Sequence, residues 1–175
     1  LSKIIIDDGS SGSIGNGDSF ATAGETIAID LEIKNTTLST VPATTATISS
    51  NDPYITIVNS QSSFNEIVSN ESLWSNSAFV FSINTNIPAQ HNIRFNIQLM
   101  TVTDDVYFFD FYVTAYNALL TVQNYTITAG NNNILDPGEN GFLNITIKNN
   151  SVAPIFDVYA ELASLNDLVS VIDSD

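Results

Sequence analysis

Apolar and polar residues alternate along most of this chain with a period of two. In "TIAIDLEIK" the residues Ile27, Ile29, Leu31 and Ile33 are separated by Ala28, Asp30 and Glu32. That spacing puts the aliphatic set on one face of a strand and turns the other three toward water. "YITIV" (54–58) is short and β-branched, and "AFVFSIN" places Phe79, Phe81 and Ile83 together. "NIRFNIQLM" does the same for Ile93, Phe95, Ile97 and Leu99. "VYFFDFYVTAY" sends Phe109, Phe111, Val113 and Ala115 inward, with Asp110 and Thr114 outward. Clusters of Asn, Gly, Ser and Pro separate these runs, and no window carries the 3.6-residue apolar stripe of a helix. The pattern predicts an all-β fold, an immunoglobulin-like antiparallel β-sandwich of two sheets packed face to face.

The chain also repeats itself. A shift of about 114 residues brings Gly24-Glu25 onto Gly138-Glu139 and Ile33-Lys34-Asn35 onto Ile147-Lys148-Asn149. It continues without a gap to "SSNDPYITIVNS" (49–60) against "ASLNDLVSVIDS" (163–174). Residues 1–116 are therefore expected to form one complete sandwich, and 117–175 the start of a second, homologous one that stops after its first strands. Half a sandwich cannot bury its inner face alone. The opening "LSKIII" reads as the middle of an element, so the sequence is expected to be a segment of a longer protein, with neighbouring domains of that protein as partners.

Composition sharpens this. Apolar residues make up 43% of the chain, enough for a real core. Four Lys+Arg stand against 19 Asp+Glu, a formal charge of −15. A surface so acidic has no basic footprint for phosphates, which argues against nucleic acid as a partner, and an anionic membrane surface would repel it. No run reaches the roughly 18 apolar residues of a membrane-spanning helix, so no transmembrane segment is expected. Divalent cations suit such a charge, though solubility alone also accounts for it. Cys is absent, which removes disulfides, thiolate catalysis and Cys-based zinc sites. Sequons start at Asn35, Asn70, Asn124, Asn144 and Asn149. Chance explains most of them in a chain so rich in Asn, Ser and Thr, but the polar, Lys-poor, Thr/Asn-rich surface points to an extracellular or cell-surface location.

Two oxygen-rich loops carry the candidate chemistry. The first, "GNGDSFATAGE" (15–25), offers Asn16, Asp18 and Glu25, with Asp8 one short Gly/Ser loop upstream. The second, "GNNNILDPGE" (130–139), offers Asn131, Asn133, Asp136 and Glu139. Ca²⁺ takes six to eight oxygens, and the glycines let backbone carbonyls turn inward. An EF-hand is excluded: the twelfth residue from Asn16 is Ile27, and a strand follows. The same residues are strong turn formers and need no metal to be so.

Together "DDGSSGSIGNGDSFATAGETIAIDLEIKN" and "GNNNILDPGENGFLNITIKN" resemble the "GNGDGxxxPGE" loop that opens certain immunoglobulin-like domains, of the CARDB and gingipain C-terminal type. Such domains are strung along large secreted and surface proteins of Bacteroidetes-type bacteria, often behind gingipain-like cysteine-peptidase domains. "SSNDPYITIVNS" and "IPAQHNIRFNIQL" resemble further patterns of the family. The resemblance implies an exported, non-catalytic spacer or adhesion-type module with calcium at the loops. The first copy departs from the pattern at Ser19, usually Gly, and at Ala23, usually Pro. The second has Asn132 where the first has Asp18.

Catalytic constellations are poorly supplied. His91 is the single histidine and follows Pro88 at a strand start, where anchoring a loop is the expected job. Asp104-Asp105 fall in a hairpin turn. Trp74, between Leu73 and Phe79, is expected as a core plug, with stacking on a sugar beside Tyr54 as the rival. Phe108 and Tyr112 are expected as an outward patch for a neighbouring domain or subunit. The chain is thus expected not to be an enzyme but a structural or adhesion-type module. The rivals are a carbohydrate- or protein-binding module, the accessory part of a gingipain-like peptidase, and a filament subunit built by strand addition.

Overall fold

The computed structural model describes residues 1–10, 12–151, 153–155 and 158–172. Twelve strands run through it: β1 Lys3–Asp7, β2 Ala21–Thr22, β3 Thr26–Lys34, β4 Thr44–Ser49, β5 Ile55–Asn59, β6 Gln61–Phe64, β7 Ser72–Trp74, β8 Phe79–Ile83, β9 Gln90–Thr101, β10 Val106–Tyr116, β11 Leu120–Ala129 and β12 Gly141–Asn149. One sheet has the order β1-β3-β8-β5, with β7 also paired to β3. A second has the order β2-β10-β9-β4-β6. This is the immunoglobulin division of strands A, B, E and D against C, F and G. Every pairing is antiparallel except β2 with β10, which run parallel. A single residue, Ser60, separates β5 in the first sheet from β6 in the second, so the chain changes sheet there. A bulge between Ile57 and Asn59 provides the bend.

The core lies between these two sheets and is built by the predicted faces. Ile27, Ile29, Leu31, Phe79 and Phe81 come from one sheet; Ile93, Phe95, Ile97, Phe111 and Val113 come from the other. Phe95 sits at the centre, 4.9 Å from Phe81 and stacked on Phe111 at 5.1 Å between ring centroids. Burying each such side chain contributes roughly 1.5–3 kcal/mol, which is what holds the sheets together. Ala28 departs from the alternation. It is buried rather than solvent-facing, because its small side chain lies between β1 and β8, opposite Asp7 and the buried Val80. Trp74 is also not the plug expected of it: it stands on the edge strand β7 opposite Glu32, about one-third exposed at 36%, outside the core cluster. Leu73 takes the inward place beside it.

Strands β11 and β12 form a separate antiparallel hairpin in which Val122, Tyr125, Phe142 and Ile145 are exposed. It repeats the β1–β3 pair at the level of single hydrogen bonds. Asn35 Nδ2 donates to Ser39 O at 2.7 Å, and Asn149 Nδ2 to Ala153 O at 3.0 Å. Thr37 N–H donates to Asn35 Oδ1 at 2.9 Å, and Ser151 N–H to Asn149 Oδ1 at 2.8 Å. Farther along, Tyr54 N–H donates to Asp52 Oδ1 as Leu168 N–H does to Asn166 Oδ1. The end of the aligned stretch, Asp173 and Ser174, lies outside the described residues.

Candidate functional site

The first loop closes over one buried carboxylate. Asp8 follows β1 and is 1% exposed. Its Oδ2 accepts from the backbone N–H of Gly17 at 2.8 Å and of Asp18 at 3.1 Å, and its Oδ1 from Ser19 N–H at 3.0 Å. Three successive N–H groups converge because Gly17 and Ser19 both have positive φ, 76° and 66°, on either side of Asp18. Such a concave run of N–H groups is an anion receptor, and here the anion is the protein's own carboxylate. Ser19 thus occupies a left-handed position that glycine fills more easily.

Glu25 closes the other side. Its Oε1 accepts from Asn16 N–H at 3.3 Å and its Oε2 from Thr22 N–H at 3.0 Å. Asn16 Oδ1 and Asp18 Oδ1 then accept from Asp18 N–H and Phe20 N–H, as Asx turns do. All four predicted residues of the first loop therefore meet, but mostly through backbone N–H groups. One oxygen stands apart: Asp18 Oδ2 is buried and has no partner. Gly15 is where the loop comes closest to itself. A Cβ there would collide with Asp8 O and lie 2.9 Å from Glu25 Oε1.

The corner that ends the loop recurs. Glu25 N–H donates to Thr22 O at 3.2 Å, and Glu139 N–H to Asp136 O at 3.0 Å. Gly24 and Gly138 have φ of 86° and 87°, as a type II turn requires at its third residue. Both glutamates reach back to the N–H three residues earlier, Glu139 Oε2 accepting from Asp136 at 3.2 Å. Ala23 differs from Pro137 for a visible reason. Its N–H donates to Tyr116 O at 2.8 Å, a bond proline cannot make.

The second loop lacks the centre of the first. One register step beyond Asp7–Ala28, Asp8 stands opposite Ile27; the equivalent residue opposite Gly141 is Ala129, an apolar methyl. Asn131, Asn133, Asp136 and Glu139 are all exposed. Asn133 has φ 58° and donates to Ala129 O. Asp136 is met by Asn132 Nδ2 at 3.3 Å.

Tested against calcium, the first loop offers a single unengaged carboxylate oxygen, since Asp8 and Glu25 already serve N–H groups. Among the described residues no three Asp, Glu or His side chains gather as metal ligands do. A cation would have to be held through Asp18 Oδ2, with backbone carbonyls and water completing its shell. Asp7, just outside, has its carboxyl held well below the usual range by the Ser10 hydroxyl and Gly9 N–H.

His91 holds a loop, as expected: its Nε2 lies 2.7 Å from Asp52 Oδ2, and its ring meets Tyr54 edge-on at 5.1 Å. Sequence reasoning passed over the neighbouring polar groove between the 49–53 loop and Arg94, Asn96 and Asp110. The signal was there, since Arg94 is the chain's one arginine and interrupts an aliphatic strand.

No family model matches the chain, and no curated protein matches it.

Proposed function

We propose that this chain is a non-catalytic structural or adhesion-type module of a larger extracellular or cell-surface protein. The observation that supports it is the recurrence of the turn and side-chain bonds of the Gly24-Glu25 corner and of the local Asn35 bonds at Gly138-Glu139 and Asn149. Serial copies of one framework, each led in by the same rigid corner, suit a spacer whose task is to set distance and orientation. Asn35 fits the same role. Its amide donates to Ser39 O and Ile67 O, which gives this sequon position a framework duty. The test is protease shaving and impermeant amine labelling of intact cells that produce the full-length protein. Modification of Lys3 and Lys34 without lysis is expected, and protection of both until lysis overturns the location.

Calcium at the first loop is a second reading, and the buried, unpartnered Asp18 Oδ2 is the observation that favours it. Bound there, the ion would supply positive charge between the lead-in strand and the corner and stiffen that junction. Calorimetric titration with CaCl₂, with melting in EDTA beside it, decides the matter. Heat release abolished by Asp18→Asn supports it; a flat titration and an unchanged melting temperature remove the ion.

A further inference from the structure

The outer face of the β2-β10-β9-β4-β6 sheet carries a groove that the structural reading leaves without a task. It has a volume of about 460 Å³, within the range of small-molecule sites. Its floor comes from cross-strand neighbours in known register: Asp110 opposite Asn96, and Asn96 opposite Ser49. One wall is the loop Ser50–Pro53. That loop is fixed, because Ser50 Oγ donates to Arg94 O at 2.6 Å and Asp52 N–H to Ser50 Oγ at 3.2 Å.

Arg94 and Asp110, two of the groove's charged groups, are paired with each other. Arg94 Nη2 donates to Asp110 Oδ2 at 2.5 Å, and Asn96 Nδ2 to Asp110 Oδ1 at 3.0 Å. Both oxygens of Asp52 are engaged, by Tyr54 N–H and His91. Each charged side chain of the groove therefore already has a hydrogen-bonding partner within the protein. What remains is a fixed set of neutral-pair donors and acceptors, including the free edge of a guanidinium that is 64% exposed.

Two aromatic rings flank this polar patch on the same face. Tyr112 stands opposite Arg94 and is 58% exposed; Phe108 stands opposite Gln98 and is 64% exposed. Both lie on Asp110's side of β10, two residues from it in either direction, because side chains alternate along a strand. Four residues of strand put the two backbone positions roughly 13 Å apart, the length of a short oligosaccharide. Aromatic side chains at that spacing with rigid hydrogen-bonding groups between them suit the apolar faces and hydroxyl rims of sugars. The chain's formal charge of −15 disfavours polyanionic glycans.

We propose that the groove bounded by Asp52, Arg94, Asn96 and Asp110, with Tyr112 and Phe108 at its flanks, binds a neutral oligosaccharide. The site is separate from Trp74 and from the first loop, so it stands whether or not the chain is a spacer.

The experiment is an array of neutral oligosaccharides of about two to six hexose units, followed by calorimetry of the strongest hit on the whole chain. Tyr112→Ala is expected to weaken binding at least about tenfold, in line with the loss of one stacking aromatic contact, and Tyr112→Phe to stay within about twofold. Asn96→Ala is expected to weaken it similarly. Trp74→Ala is expected to leave it unchanged. Tyr112 is exposed, so its variants are expected to melt with the parent, which keeps the comparison clean. Silence across the array overturns the proposal. So does a hit indifferent to Tyr112 and Asn96, or a Tyr112-dependent dimer in sedimentation with no sugar bound, which would make the face a protein contact.

Discussion

Replacing Asp8 with Ala tests the account of the first loop directly. The side chain is 1% exposed and accepts three backbone N–H bonds from Gly17, Asp18 and Ser19. Hydrogen bonds to a charged group are worth roughly 1.5–3 kcal/mol each, so complete loss with nothing in exchange would cost about 4.5–9 kcal/mol. Gly17 and Ser19 are exposed, however, and water can take over their N–H groups once the carboxylate is gone. About half of the lower and middle range survives that correction, a destabilisation of about 2–3.5 kcal/mol. For a domain of this size that lowers the melting temperature by about 8–14 °C at roughly 4 °C per kcal/mol. Asp8→Asn should lose nearly as much, because it keeps one acceptor but turns an NH₂ toward N–H donors. The assay is thermal melting followed by circular dichroism, with parent, Asp8→Ala and half-buried Asp7→Ala measured together, each with and without EDTA. A fall of less than about 3 °C for Asp8→Ala, under 1 kcal/mol on the same scale, refutes the buried-anion account. A parent that falls to the variant's melting temperature on chelation alone would reassign Asp8 to a metal.

Four further outcomes follow from the packing and the corners. Phe95→Ala removes the ring between Phe81 and Phe111 and should cost about 3–5 kcal/mol in urea unfolding, with the slope unchanged. Ala23→Pro, although proline is favoured at that place in a type II turn, should destabilise by about 0.5–1.5 kcal/mol through loss of the bond to Tyr116 O; a gain in stability would contradict the stated role of that N–H. Ser19→Gly should be neutral or stabilise by up to about 1 kcal/mol, since the positive φ of 66° is one that glycine adopts without strain. The carboxyl of Asp110 is held below its ordinary value of 3.8 by Asn96 and then Arg94. Its contribution is therefore complete above about pH 4 and is lost as pH falls through the lowered folded value. Asp110→Asn should flatten the acid side of the melting profile below about pH 4 and leave the region from about pH 5 to 8 parallel to the parent. A change confined to neutral pH would be the wrong sign.

The sandwich was legible in the chain because alternation is a direct consequence of strand geometry. Phe79-Phe81-Ile83 and Ile93-Phe95-Ile97-Leu99 could occupy one face only, and they do. Ala28 escaped the pattern because alanine is small enough to be covered on the solvent side, so its identity carries little information about which way it faces. Trp74 was misplaced because a large aromatic beside Leu73 suits either an edge or a core, and pairing register decides between them. Asp8, Asn16, Asp18 and Glu25 do come together in the first loop. What they do to one another was hidden, since N–H groups are the same in every residue and only positive φ at Gly17 and Ser19 aims them at Asp8. The groove at Arg94 was missed for a related reason. Its members lie on β4, β9 and β10 and on the 49–53 loop, and only strand register brings them together.

The bond from Ala23 to Tyr116 and the parallel pairing of β2 with the end of β10 bear on how the molecule answers tension. The exit strand is fastened to the lead-in corner, and Asn117, next along the chain, is held by its side chain to Thr85 O and Ile87 O. A pull applied through the two ends would load these links along the strand direction, together and in shear, rather than peeling them apart singly. Links loaded in that way share the force, so the resistance to extension would be concentrated where β2 and the end of β10 run side by side.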